Sequence, residues 1–163
     1  MKSIDFLERI NVKDDWETPR ELYEELDNRF HFTFDPCPIN PEFDGLSVSW
    51  SGNVFCNPPY SEVVKWIVKG YDEILLDHVD TLVYLVYAKT DTRWFHQYIY
   101  KNPIISWKIE FIKGRVKFGN HGKYGYAPFP SMLLIYQRII NSDIRYKKIL
   151  ESSILPSNSA IVY

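Results

Sequence analysis

Residues 81–88 read Thr-Leu-Val-Tyr-Leu-Val-Tyr-Ala, an almost unbroken apolar run. A strand with one face in water alternates polar and apolar residues. A run that does not alternate has both faces buried, and the usual setting is a parallel sheet with helices on each side. Before the run, Val64, Ile67, Val68, Tyr71, Ile74 and Leu75 recur at helical spacing, so residues 61–76 are expected to be a helix, with Ser61 as N-cap and Glu62 behind it. Another helix is expected over residues 19–29, with Leu22, Tyr23, Leu26 and Phe30 on one face, Thr18 as cap and Pro19 in the first turn. Short strands are expected at residues 31–35, 53–56, 104–111 and 131–137, and a short helix at 91–100. Residues 39–51 and 114–126 read as loops. This alternation predicts an α/β domain.

The chain has 163 residues, room for one compact domain and not two. The whole chain is read as that domain, with residues 1–13 as an extension and the Ser-rich residues 151–163 as a loose tail. A composition of 45% hydrophobic and 25% charged residues is that of a soluble globular protein. No stretch approaches the roughly 18 apolar residues of a membrane span, and the acid-containing N-terminus lacks a signal-peptide pattern. A cytoplasmic location is expected, with no membrane partner. The net charge of −2 excludes a polycation, so a nucleic-acid partner has to be argued from a local patch. Cys37 and Cys56 make neither a disulfide framework nor a zinc spacing, and no metal is expected.

The sharpest local feature is Asn57-Pro58-Pro59-Tyr60, directly after a short apolar strand. Two prolines end the ladder and stiffen the turn. The Asn57 side chain and the Pro58 carbonyl then offer two acceptors in one geometry, beside the flat face of Tyr60. An aromatic amino group is a poor nucleophile because its lone pair is delocalised into the ring. Acceptors on its hydrogens favour a more tetrahedral nitrogen with the lone pair aimed at an electrophile, a case of preorganised electrostatics. The plainer alternative is a Pro-Pro turn that only closes a strand. Asp35-Pro36-Cys37-Pro38 also follows a strand, and ligands of open α/β sheets bind beyond the strands' carboxyl ends. A carboxylate there suits a cofactor ammonium, although an Asp-Pro turn explains the residues as well. Trp16-Glu17-Thr18-Pro19 opens a helix, whose free amides suit an anion, or serves as a simple cap. Glycine-rich cofactor signatures are missing.

Residues 108–123 carry Lys108, Lys113, Arg115, Lys117 and Lys123 against a single acid, Glu110, with His121, Tyr124 and Tyr126 nearby. Cations mixed with aromatics suit phosphate and base contacts. A solvated loop is the alternative.

In order along the chain these residues resemble the phage-type adenine-N6 DNA methyltransferases, the small Dam-like enzymes of phages and prophages. The resemblance runs over residues 14–137. It is carried by Trp16, Thr18 and Pro19; Phe34 to Cys37; Asp44-Gly45-Leu46 and Trp50; Asn57 to Tyr60; Thr90-Asp91-Thr92 with Trp94-Phe95-His96; Lys113-Gly114-Arg115 with Phe118; and Ala127 to Met132. It implies a class I, Rossmann-like methyltransferase fold in one domain without a separate target-recognition domain. S-adenosylmethionine is the implied methyl donor and double-stranded DNA the substrate, in a bacterial host's cytoplasm if the gene is a phage's. Asn57, Pro58, Pro59 and Tyr60 are then catalytic. Trp16, Thr18, Pro19, Asp35, Pro36, Cys37 and Asp44 bind the cofactor, with Asp44 reaching its ribose hydroxyls or merely forming an Asp-Gly turn. Lys89, Lys113, Arg115, Lys117 and Lys123 contact DNA. Lys89 stands where arginine is expected, which matters at a bidentate site. Cytosine N4, an RNA base and a non-catalytic DNA-binding relative are the alternative readings.

Overall fold

A computed structural model describes residues 16–120 and 123–138, without the side chains of Asn120, Lys123 and Tyr124. The expected extension and tail lie outside the described residues. The elements in chain order are α1 (Arg20–Phe30), β1 (Gly52–Cys56), α2 (Val63–Leu75), β2 (Val79–Tyr87), a π-helical turn (Phe95–Ile99), β3 (Lys108–Phe111), β4 (Lys117–Asn120), β5 (Lys123–Tyr126) and β6 (Ser131–Gln137).

One sheet has the order β1-β2-β6-β3, and β4 and β5 form a separate pair. β1 and β2 run parallel, whereas β6 is antiparallel to both of its neighbours. On the outer edge of β1, Phe34 makes a parallel bridge to Val54. The Phe55 amide donates to the Phe34 carbonyl at 3.0 Å.

The apolar run behaves as its pattern requires. Every residue from Thr81 to Tyr87 is buried, and successive residues serve opposite cores. Leu82, Tyr84 and Val86 pack with Trp66, Ile67 and Ile74 of α2. Val83 and Leu85 pack with Leu26 and Phe30 of α1. A helix therefore covers each face of the sheet, and the α/β expectation holds.

Several local expectations are corrected. The N-cap of α1 is Pro19, and no side chain caps the helix. The Thr18 hydroxyl bonds to Asn57 instead. Helix α2 starts at Val63, with Glu62 as an N-cap whose side chain bonds no helix amide. The reason is the turn before it: the Glu62 amide closes onto the Pro59 carbonyl at 3.0 Å, which moves the helix start past Ser61. Residues 31–35 contribute a bridge rather than a strand, because His31 is left-handed (φ 53°) and Pro36 follows closely. The third strand begins only at Lys108. Before it, the Asn102 side chain accepts from the amides of Ile104 (2.9 Å) and Ile105 (2.8 Å), holding a turn there. Residues 114–126 are not wholly a loop: β4 and β5 pair there as an antiparallel hairpin, with Phe118 opposite Gly125. Buried Phe118 anchors it to the core beneath α1.

Candidate active site

Parallel pairing ends the Phe34 segment, β1 and β2 at one edge of the sheet, and Asp35, Asn57 and Lys89 follow those ends. A cavity of about 310 Å³ opens there. Its walls include Asp35, Cys37, Phe55 and Asn57 from the strand ends, and Trp16, Thr18 and Tyr23 from α1 and the segment leading into it. Residues read separately from the sequence thus share one space. Pro19, Pro36 and Asp44 are not among its walls. The walls also include Glu17 and Pro38, which lie inside the two motifs but were assigned no role, and Arg20 and Ile39, which directly follow them. Tyr23 was read only as an apolar helix position. Its spacing alone did not separate a cavity wall from core.

Asp35 is the electrostatic centre of this cavity. Burial pushes its carboxyl up to about 6, while the Cys37 amide, donating to Oδ1 at 2.8 Å, pulls the other way. No described cation pairs with it. A half-buried carboxylate in that position favours any ligand that brings a positive group.

Asn57 is held from the opposite wall. Its Nδ2 donates to the Trp16 carbonyl at 2.9 Å and to the Thr18 Oγ1 at 3.1 Å. A carbonyl oxygen only accepts, so the amide nitrogen must face Trp16 and Oδ1 must face away. Buried Pro58 follows, and the turn closes one residue later at Pro59.

The Tyr60 ring is gripped edge-on by Tyr87 (centroids 5.1 Å, 86°) and Phe118 (6.3 Å, 87°). Burial pushes its phenol up to about 12, and the Ser131 hydroxyl acts the other way. Both hydroxyls are buried, and apart from each other neither has a hydrogen-bond partner among the described residues. The Lys89 ammonium lies over the Phe129 ring at 4.0 Å and the Tyr87 ring at 5.3 Å, so it joins the same aromatic group.

Asp44 is exposed and accepts from the Leu46 amide (3.0 Å) and the Ser47 hydroxyl (2.5 Å), the arrangement of an Asp-Gly turn. Gly45 follows because the chain there presses on the Asp35-Pro36 turn: a Cβ at Gly45 would lie 1.8 Å from the Pro36 carbonyl oxygen.

Lys113, Arg115 and Lys117 are exposed beside and on the hairpin. Phe111 (67%) and Tyr126 (70%) are exposed near them. Lys108 belongs elsewhere. It pairs with Glu110 at 2.8 Å, and Arg29 grips the same carboxylate at 2.8 and 3.0 Å. Arg29, then Lys108, pulls the Glu110 carboxyl down to about 2. The one acid of the basic segment is therefore already neutralised. The side chain of Lys123 lies outside the description. Among the described residues no cluster of His, Cys, Asp or Glu could hold a metal, and no helix is long and apolar enough to cross a membrane.

A family model described as DNA N-6-adenine-methyltransferase (Dam) matches residues 8–154. No curated protein matches the sequence. Among solved structures, a Pyrococcus horikoshii protein proposed to be an RNA methyltransferase is similar, with 13% identity and a TM-score of 0.40. That likeness covers 60% of this chain, and the chain spans 47% of that protein's length.

The raised Asp35 carboxyl has a stability consequence. Its charged form is the disfavoured one in the folded protein, so its contribution is fully present below pH 4 and is lost as pH rises through about 6. Asp35→Asn should therefore be more stable than the parent above pH 6, by up to roughly 3 kcal/mol. The gap should close on acidification. Urea denaturation at pH 4 and pH 7 measures it, and an equal difference at both pH values would contradict the burial assigned to Asp35.

Proposed function

The chain belongs to the DNA N-6-adenine-methyltransferase (Dam) family, and from that premise we propose that it transfers a methyl group from S-adenosylmethionine to the exocyclic N6 of adenine in DNA. The observation that carries the reading is the clamped carboxamide of Asn57 in the wall of the Asp35 cavity. Family membership implies the methyl donor and a DNA substrate. The target atom rests on the chemistry of the site. A class I, Rossmann-like assignment is supported by the parallel strands and by antiparallel β6 lying between β2 and β3.

The cavity fits the donor in size and charge. Small-molecule pockets run from about 300 Å³ upward, and the volume here is about 310 Å³. S-adenosylmethionine, when bound, supplies a methyl group on a sulfonium centre. Asp35 would hold its ammonium, recovering part of the cost of its own burial. Trp16, Tyr23 and Phe55 would give apolar walls, with Cys37 and Thr18 beside them.

The protein's task is then to make an adenine amino group nucleophilic. Asn57 Oδ1 accepts one amino hydrogen and the Pro58 carbonyl the other. The nitrogen lone pair leaves the ring plane and faces the cavity. Attack makes the nitrogen cationic, and it then loses a proton readily, so no tuned general base is needed. The target must leave the duplex to reach this turn. Tyr60, its plane fixed by Tyr87 and Phe118, would stack on the flipped base.

DNA would be held by the hairpin side. Lys113, Arg115 and Lys117 supply phosphate contacts, with Lys89 at the aromatic group beside the turn. Charge removal at Lys113, Arg115 and Lys117 should weaken DNA binding and flatten its salt dependence by about one unit of log–log slope per lost contact. S-adenosylmethionine affinity should not change. Fluorescence anisotropy over a salt series reads both effects, and a triple variant with the parental slope would return these residues to ordinary solvated surface.

Asn57→Ala should leave S-adenosylmethionine affinity near the parental value and slow methyl transfer about a hundredfold or more, by analogy with losing one preorganised polar group. Single-turnover transfer of a labelled methyl group to unmethylated double-stranded DNA is the measurement. A parental rate would remove Asn57 from the chemistry.

A further inference from the structure

The two hydrogen bonds on the Asn57 carboxamide have an origin outside the catalytic turn. Both acceptors, the Trp16 carbonyl and Thr18 Oγ1, belong to the short strap that leads into α1. The strap is itself fixed at both ends. Glu17, between the two acceptors, makes a double backbone bridge to Gly119 of the hairpin: Glu17 N–H donates to the Gly119 carbonyl at 2.8 Å, and Gly119 N–H to the Glu17 carbonyl at 3.1 Å. On the other side, the Pro19 carbonyl accepts from the Tyr23 amide at 2.9 Å and starts the helix. A residue before proline is restricted to extended backbone. Thr18 therefore sits between a β-bridge and a helix start, with little freedom to move its hydroxyl. That hydroxyl caps nothing: α1 has no side-chain cap.

The end torsion of an asparagine is soft and close to two-fold. Left alone, the carboxamide can present its oxygen or its nitrogen to a substrate. The two faces have opposite effects on an amino group: Oδ1 accepts its hydrogen, whereas Nδ2 sets donor against donor. Something must choose the sign.

We propose that Thr18 is a positioning residue for methyl transfer, which together with the Trp16 carbonyl locks the Asn57 carboxamide with Oδ1 toward the target amino group. This rests on the reading of Asn57 as an acceptor in the reaction. It assigns Thr18 a different task from contacting the cofactor, although its side chain also borders the cavity. Because the Trp16 carbonyl remains in any Thr18 variant, the lock is weakened rather than abolished.

Thr18→Val keeps the shape and removes the hydroxyl. It should lower the single-turnover rate at saturating S-adenosylmethionine and DNA about tenfold, the scale of one lost hydrogen bond. The dissociation constant for S-adenosylmethionine should stay within about twofold of the parental value, because the hydroxyl that is removed is bonded to Asn57 and not to the cofactor. Thr18→Ser should restore the rate. Combined with Asn57→Ala, the Thr18→Val change should cost nothing further, because it acts only through Asn57. A parental rate in Thr18→Val, or additive losses in the double variant, would overturn the proposal. So would a Thr18→Val that loses cofactor affinity and keeps its saturated rate, which would make Thr18 a cofactor contact. If Thr18→Val does not fold, Thr18→Ala is compared with Thr18→Ser in the same assays. A parental rate in Asn57→Ala alone would instead sink the underlying reading.

Discussion

In a pair of parallel strands both chains finish at the same edge, and whatever follows each strand is delivered to one place. Two such pairings operate here. Phe34 bridges Val54 in parallel, and β1 pairs with β2 in parallel. Asp35 follows the Phe34 segment, Asn57 follows β1 and Lys89 comes after β2, so a carboxylate, a carboxamide and a cation gather along one rim without being near in sequence. The apolar run of β2 makes this possible, because only a strand buried on both faces can sit in mid-sheet with helices on each side. Shifting β1 by one residue would turn Phe55 and Cys56 to the wrong cores and move Asn57 with them.

Two opposed electrostatic designs meet on that rim. Asp35 is costly while ionised in its cavity and becomes favourable when a cation arrives. Asn57 carries no net charge, and the orientation of its carboxamide is set by a carbonyl that can only accept. The strap thus links three things: the cavity wall, the Asn57 turn and, through the Glu17–Gly119 bridge, the hairpin whose flank carries Lys113, Arg115 and Lys117.

Much of this was legible in the sequence, for identifiable reasons. The run over residues 81–88 announced a buried strand because it lacks alternation. The tetrapeptide at Asn57 stood out because two prolines after a strand leave few backbone options. What stayed hidden depends on contacts distant in the chain. Thr18 before Pro19 reads as a helix cap, and the sequence offers no sign that its hydroxyl turns to Asn57 instead. The pairing of β4 with β5 read as a loop because Gly119 and Gly125 and the lysines mask the alternation that buried Phe118 obeys. Lys108 read as part of a free basic patch, yet Glu110 holds it together with Arg29. Asp44 looked equally like a ribose ligand and a turn, and its bonds to Leu46 and Ser47 are those of the turn.

The central claim is that this site methylates the amino group of adenine in DNA. The most direct measurement is incubation of the protein with unmodified double-stranded DNA and isotopically labelled S-adenosylmethionine, followed by digestion and nucleoside mass spectrometry. The account predicts label in N6-methyladenine alone. Label in N4-methylcytosine, or transfer to RNA with none to DNA, would contradict it.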